Sequence, residues 1–454
     1  MSRSNAAAAL LFRRKGDGST LNLDFTGGSL DSRVVLTRSA NTATYINSSG
    51  YVTTAVANEA RFDYDPTTLA AKGLLIEGSA INLFTYSADY TNAAWTKGSA
   101  SGDVAVTAAS GTSPENANTA ILLAENSTTY AQHFVQQSPS VSTGNVYTFS
   151  LWAKEPTSNS RRYLIMQIAD GQGTPAARFT INIDLQAGTI LTTGTIDGLA
   201  GAPTGTASSI TAYANGWYRC TVTMNCIGGT GYFQAKLNNG ATLNGSGISQ
   251  FYSASAPYKG VLIWGAQVEL GTSASSYIPT VASQVTRNPD LALMTSTNFS
   301  SWFTGGTTGT FFVDFHGGVR GITSTVRSVI STSDQTTKHL HLQQVSAAGA
   351  LKVADFGAAN SVSTANTITS GARTKGAFSF VGSTTTVNLC LNGGTVATSS
   401  AIAFSVAPTW LVLGGTSTDG STLTDLTTVL NGSIRQIKYY PTALTSAQLI
   451  AMST

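Results

Sequence analysis

The chain has 454 residues, charged side chains make up 10% of it, and 25 Lys+Arg against 22 Asp+Glu leave a net charge of +3. That length supplies material for about two to four domains, and so small and dispersed an excess of positive charge argues against nucleic acid as a partner. No stretch approaches the roughly 20 apolar residues of a membrane helix, so membrane insertion is not expected.

Ser, Thr, Gly, Ala and Asn take the place of the missing ions, a composition that suits β-sandwiches and fibrous viral or extracellular proteins. The apolar run Ala6 to Phe12 is short, and Arg13-Arg14-Lys15 follows it rather than preceding it, which is the wrong order for a secretory signal. Cys220, Cys226 and Cys390 read as buried free thiols: the first two share a strand face but lie out of bonding reach, and the third stands alone. A fold without disulfides fits assembly in a reducing cytoplasm, with release by lysis.

In chain order, residues 1–81 hold short strand-like pieces. Leu21 to Phe25 alternates, Arg33 to Thr37 follows a glycine break, and Thr44-Tyr45-Ile46 and Tyr51-Val52-Thr53 flank the polar turn Asn47 to Gly50 as a hairpin. Arg61 to Asp65 alternates up to Pro66, and Gly73 to Glu77 is a short apolar strand. These pieces are too small for a core of their own and are expected to pack on downstream strands or on neighbouring subunits.

Residues 82–288 carry strands at short intervals: Val146 to Ala153, Arg162 to Ile168, Arg178 to Ile183, Trp217 to Met224, Tyr232 to Leu237 and Val261 to Leu270. In the last of these, strict alternation puts Val261, Ile263, Gly265, Gln267 and Glu269 on one side and Leu262, Trp264, Ala266, Val268 and Leu270 on the other. Gly271 to Ser276 break that strand, and Val285 to Asp290 reads as the exit from the domain. Many short strands without a long amphipathic helix indicate an antiparallel sandwich.

Residues 289–454 repeat the style, with strands at Thr310 to His316, Val326 to Ser331, His339 to Val345, Leu351 to Asp355, Ala377 to Val381, Thr386 to Leu391, Trp410 to Gly414 and Ile434 to Tyr440. Asn392-Gly393-Gly394 is a strong turn signal, and Ser446 to Met452 is the one helix expected near the end.

Specific strings bear on kinship. RVVLTRSANTATYINSSGYVTTAVANEARFDYDP and GLLIEGSAINL, within Arg33 to Asn82, resemble a module common in structural proteins of tailed-phage virions and prophages. FTYSADYTNAAWTKG, VYTFSLWAKE, NGWYRCTVT and WGAQVELGTSASSYIPT resemble the carbohydrate-binding jelly roll that usually follows it. TFFVDFH, NLCLNGG and LNGSIRQIKYYPTALTSAQL are similar to concanavalin-like, laminin-G-type sandwiches. The resemblance covers most of residues 20–454 and implies a virion appendage (tail fibre, head fibre or spike) that carries lectin-like domains. Arg13-Arg14-Lys15 is then either a solvated tail or a docking point for an acidic patch on the particle.

The chemistry-bearing residues argue against an enzyme. Glycoside hydrolysis needs two carboxylates across a cleft; residues 291–454 contain no glutamate, and Glu155 and Glu269 in the middle region have no acidic neighbour in sequence. His339 and His341 point both imidazoles to one strand face, in reach of a shared metal or simply on a polar surface. Asp419 and Asp425 would supply oxygens to calcium, or only shape a turn. Sugar binding uses exposed aromatic faces near amides and carboxylates. Trp152, Trp217, Trp264 and Trp410 read as core, which leaves loop aromatics as the carbohydrate candidates: Tyr90, Trp95, Tyr213, Tyr252, Tyr258 and Trp302, with Phe251 beside them. The cluster Phe299, Trp302 and Phe303 is alternatively a seat for the third domain on the second.

The expected architecture is all-β: a small N-terminal β module (1–81) for virion attachment or assembly, then two antiparallel jelly-roll β-sandwiches, carbohydrate-binding-type (82–288) and concanavalin-like or laminin-G-like (289–454). The expected function is non-enzymatic binding of host cell-surface polysaccharide at the virion surface, as a homo-oligomer with a trimer favoured, in contact with other virion proteins. The alternative is a structural capsid or tail decoration protein without glycan binding. No cofactor is required, and calcium is the structural ion the acidic loops suggest.

Overall fold

The computed structural model describes residues 17–454 apart from 41, 99–102, 127, 129, 158–161, 171–175, 197–201, 244–250, 319–325, 334–338, 346–348, 356–359, 370, 403–407, 418, 420–421 and 424–427. Regular structure among these residues is nearly all antiparallel strand, arranged as two sandwiches.

One sandwich is built from both ends of the chain. Its eight-stranded sheet runs Ala397–Ser399, Thr386–Leu391, Arg373–Val381, Thr308–His316, Gly432–Tyr440, Ala71–Ile76, Phe62–Tyr64, with Leu21–Asp24 also paired to Gly432–Tyr440. Its seven-stranded sheet runs Val35–Thr37, Leu291–Thr295, Trp410–Leu413, Val326–Ser333, His339–Val345, Ala350–Asp355, Ser361–Thr367. Leu21, Leu23, Leu36 and Ile76 share one core with Phe311, Phe378, Leu342 and Tyr439. The strands between Leu21 and Ile76 that join these sheets are therefore not a module of their own. Strands of three to six residues cannot bury enough apolar area alone, and they complete the sheets of the far end instead.

The second sandwich, a jelly roll, has two six-stranded sheets. One runs Ala207–Ala212, Tyr218–Cys226, Asn145–Lys154, Gly260–Leu270, Ile121–Glu125, Val104–Thr107, and the other Thr189–Ile196, Arg178–Asp184, Tyr163–Ala169, Tyr232–Asn238, Phe134–Gln137, Thr96–Lys97. Their inner faces meet over Phe149, Leu151, Met166, Ile181, Val222 and Phe233. The chain enters and leaves this sandwich on one two-stranded ribbon, Ala80–Asn82 against Val285–Arg287, in which Val285 faces Asn82 and Arg287 faces Ala80. The jelly roll is thus an insertion in the other sandwich.

The strand Gly260–Leu270 departs from simple alternation. Val261 and Ile263 face the core, but so do Ala266 and Val268, because the pairing with Asn145–Lys154 shifts register between Ser150 and Trp152. Gly265, at φ +63°, sits at that bulge. Leu262 and Trp264 lie on the other face, where Trp152, Trp217, Tyr213 and Tyr277 form a second cluster capped by Val52 of the hairpin Ala43–Ile46/Val52–Ala55. Both faces are covered, so every residue from Gly260 to Glu269 is buried.

At the ribbon lies a buried ionic knot. Arg61 donates to Glu77 (2.6 Å) and to Asp290, Arg38 reaches Asp290 at 2.8 Å, and Arg287 lies 3.2 Å from Glu77. Ser276 donates both its amide and its hydroxyl to Glu77 (2.9 and 2.7 Å). Elsewhere, Asn392 and Gly393 both adopt positive φ in the turn after Thr386–Leu391. The helix Ser446–Ser453 starts with a capping box of Thr445 and Gln448, and its Leu449 covers Phe312 and Cys390. All three cysteines are free and buried.

Candidate functional site

The outer face of the jelly-roll sheet that contains Tyr163–Ala169 is polar where its inner face is apolar. In Tyr232–Asn238 the side chains of Phe233, Ala235 and Leu237 enter the core, which sends Tyr232, Gln234, Lys236 and Asn238 outward. Arg178–Asp184 behaves likewise, with Phe179, Ile181 and Ile183 inside and Arg178, Thr180, Asn182 and Asp184 outside.

Register then aligns these residues across strands. Gln136 faces Gln234, Gln234 faces Gln167, and Gln167 faces Thr180, giving a row of three amides and a hydroxyl over four strands. The neighbouring rows hold Lys236, Ile165 and Asn182 on one side and Tyr232, Ala169 and Arg178 on the other. Gln234 donates to Gln136, and Gln167 donates to Thr180 Oγ1 at 2.7 Å. Lys236 Nζ donates to Gln167 and Gln132 at 3.0 and 3.1 Å. Burial, aided by the nearby Arg178 cation, pushes the Lys236 pKa down to about 7.

A recess of about 340 Å³ opens on this face, lined by Gln136, Gln167, Gln234, Arg178, Ala176 and the exposed ring of Tyr232. Arg178 Nε is buried at this recess without a hydrogen-bond partner among the described residues, and so, farther along the same sheet, are Asn238 Oδ1 and Thr192 Oγ1. Buried polar atoms normally find partners, so a face with several spare donors and acceptors is fitted to a ligand that brings its own. Amides, which donate and accept, match the hydroxyls of a sugar, and Tyr232 offers a ring for C–H faces. Tyr130, 69% exposed, stacks on Phe251 (5.6 Å, 20°) just before Gln132, adding a second aromatic surface near this face.

The aromatic residues expected from sequence to bind sugar are mostly elsewhere. Tyr90 and Trp95 are buried against each other (4.5 Å) and Phe84 in the jelly-roll core. Trp302 is buried in the other sandwich, 4.8 Å from Phe299 and 5.2 Å from Tyr439, so Phe299, Trp302 and Phe303 fill a core rather than seating one domain on the other. Tyr252 is buried on His133 and donates to Glu125 at 2.7 Å. Apolar rings in glycine-rich loops are cheaper to bury than to leave in water, which removes these four as stacking faces. Tyr258 is half-buried. Tyr213 lies at a cleft between the two sandwiches, its pKa pushed up to about 12 by burial.

Of the four metal candidates, His341 and Asp419 have described side chains. His341 is buried with Nδ1 3.2 Å from Gln343 Nε2, while the side chain of His339 lies outside the described residues. Asp419 accepts from Ser417 Oγ (3.0 Å) and from the amide and hydroxyl of Thr422 (2.8 and 2.6 Å), so its carboxylate already serves its own turn; Asp425 lies outside the described residues. Among the described residues no three His, Cys, Asp or Glu gather as a metal site. Glu269, a candidate acid, is buried and bonded to Gln267 and to Ser275 at 2.7 Å, where it fixes the loop after its strand.

A sequence reading that looks to loops for aromatics passes over the amide row. The signal is present in YFQAKLN and RFTINID, where alternation leaves an amide- and hydroxyl-rich face opposite the core.

The chain matches no protein-family profile and no curated protein sequence. Part of it is similar to solved structures. One is the CBM40 of a Ruminococcus gnavus IT-sialidase bound to α2,3 sialyllactose (20% identity, TM-score 0.27, 33% of this chain and 84% of that one). Others are a SAP-like pentraxin from Limulus polyphemus (15%, 0.28, 33% and 70%) and a leech intramolecular trans-sialidase (19%, 0.27, 32% and 23%). At such TM-scores the likeness carries no conclusion about ligand or descent.

Proposed function

We propose that this protein is a non-enzymatic glycan-binding protein, and that the outer jelly-roll face around Gln136, Gln167, Gln234 and Arg178 takes the sugar. The observation that carries this reading is the register-aligned row of three amides beside a recess lined by Arg178, whose buried Nε has no partner among the described residues. The carboxylate in the outward rows is Asp184, held by Arg162 at 2.6 Å. The other acid nearby, Asp170, sits at the strand end close to Arg178. Asp184 is engaged by an arginine and by the amides of its own turn, Gln186 and Ala187, at 3.0 and 3.1 Å, which supports a binding role over that of a free catalytic acid.

The setting we propose is the surface of a virion, with host cell-surface polysaccharide as the ligand. It rests on the resemblance of Arg33 to Asn82 to phage structural modules. In a symmetric oligomer, repeated weak sites would act together on a repeating polymer.

The test is titration of extracted host polysaccharide onto the full chain and onto Gln136→Ala, Gln234→Ala and Arg178→Ala variants. Truncating a buried-site hydrogen-bonding partner costs about 1–3 kcal/mol, so affinity should fall roughly 5- to 150-fold. Unchanged binding in all three variants would remove the face from the function.

A further inference from the structure

A second site lies at the junction of the two sandwiches. There the hairpin and strands near the N-terminus, the outer aromatic cluster of the jelly roll, and His316 and Gly317 line a cleft of about 360 Å³. Trp152, Tyr213 and Tyr277 of the jelly roll line it, together with Tyr45 and Tyr64.

The charges around the cleft are accounted for, with one exception. Asp63 accepts from the amide of Ile46 (2.9 Å) and from Lys72 (3.1 Å). Asp65 accepts from the amides of Thr67 and Thr68 at 3.0 and 2.7 Å. Glu77 is held by Arg61, Arg287 and Ser276. His316 is bonded through Nδ1 to the Gly371 carbonyl at 3.2 Å, and burial lowers its pKa, so it is neutral near pH 7.

The exception is Arg219. Its guanidinium lies 4.5 Å from the Trp152 ring centroid, and one nitrogen donates to Ser150 Oγ at 3.1 Å. Its Nε is buried without a partner, and no carboxylate among the described residues pairs with it. A guanidinium stacked on an aromatic face is pre-organised and keeps its remaining N–H groups for a planar anion. A partly buried cation without a counter-ion is costly, and an incoming carboxylate relieves that cost.

The geometry points to this cleft as a binding site for a carboxylate-bearing sugar, a uronic acid residue of a glycan, with Arg219 taking the carboxylate and the half-buried Tyr45 and Tyr64 walling the sugar ring. The site shares no residue with the amide face, so it stands or falls separately from glycan binding there.

The probes are glucuronate and galacturonate, compared with glucose and galactose, titrated calorimetrically onto the full chain. Both acids should bind at least tenfold more tightly than their neutral counterparts. Arg219→Gln should abolish that preference, and Arg219→Lys should restore only part of it, because a lysine cannot reproduce the planar fork. The double variant Gln136→Ala/Gln234→Ala should keep the preference unchanged. Equal binding of acid and neutral sugars by the unaltered chain, or no binding of either acid, overturns the assignment without needing any variant to fold. So does an acid preference that survives Arg219→Gln.

Discussion

Arg38 and Asp290 stand 252 positions apart in sequence and meet as a buried ion pair at 2.8 Å. Asp290 also binds Arg61 and accepts the amide of Glu77 at 2.9 Å. One carboxylate therefore ties the first strands of the chain to the segment that returns from the jelly roll. Removing one member of such a set leaves the other charges buried and unpaired, at about 3–5 kcal/mol. Asp290→Asn should lower unfolding stability by that amount, read from the midpoint of urea denaturation at constant slope. A loss under about 1 kcal/mol would mean that water reaches the knot.

Glu77 in the same knot makes stability depend on acid. Burial alone would raise its pKa, but Arg287, Arg61 and the two Ser276 donors override this and hold the carboxyl far below the usual range. Unfolded, a glutamate titrates near about 4.3. The unfolded chain therefore binds the proton more readily, and stability is full above about pH 5 and lost as pH falls below that. Urea midpoints measured from pH 7 to pH 2.5 should drop steeply, and Glu77→Gln should start lower at pH 7 and show a shallower acid limb.

Lys236 gives a slope of the same sign in a different window. Its folded pKa is about 7, lowered by burial and by Arg178, against about 10.4 for a free lysine. Between those values the unfolded chain holds more protons, so stability rises as pH increases from about 7 to about 10. Lys236→Met keeps the stem, removes the charge, and should flatten that rise in the same denaturation series. A retained slope would assign it to another group.

Gly265 tests the bulge. A Cβ there would lie 3.0 Å from Trp152 Cε3, and the residue sits at φ +63°. Left-handed backbone costs an L-residue about 1–2 kcal/mol, and the contact adds to it. Gly265→Ala should destabilise by about 2–3 kcal/mol and shift the near-ultraviolet signal of the tryptophan cluster. An unchanged midpoint would show that Trp152 yields freely.

Much of the architecture could be read from the chain, because alternation is local. The strands at Val146 to Ala153, Trp217 to Met224 and Ile434 to Tyr440, the hairpin around Asn47, the Asn392-Gly393 turn and the final helix all carry short-range signals, and each has its counterpart in the fold. What alternation cannot convey is pairing between distant strands. Leu21–Asp24 and Phe62–Tyr64 look like fragments of a small module until Leu21–Asp24 is seen paired to Gly432–Tyr440, and Phe62–Tyr64 joined to that same strand through Ala71–Ile76. The bulge at Gly265 is equally hidden, since a single extra residue reverses which side chains face inward. The amide row depends on the register of four strands, and sequence specifies each strand's polar face without saying which faces align. Burial of Tyr90, Trp95 and Trp302 is likewise a property of loops folded back over a core.

The two-stranded ribbon at Ala80–Asn82 and Val285–Arg287 also orders events in time. Asn22 must wait for Gln436, made 414 residues later, before their side chains can meet. At about 5–20 residues per second of synthesis, that is a delay of roughly 20–80 s. The jelly roll, whose strands all lie between the two arms of the ribbon, can complete itself while the leading strands of its host are still without partners. The domain in the middle of the chain is then the first to be finished, and the one that begins the chain is the last.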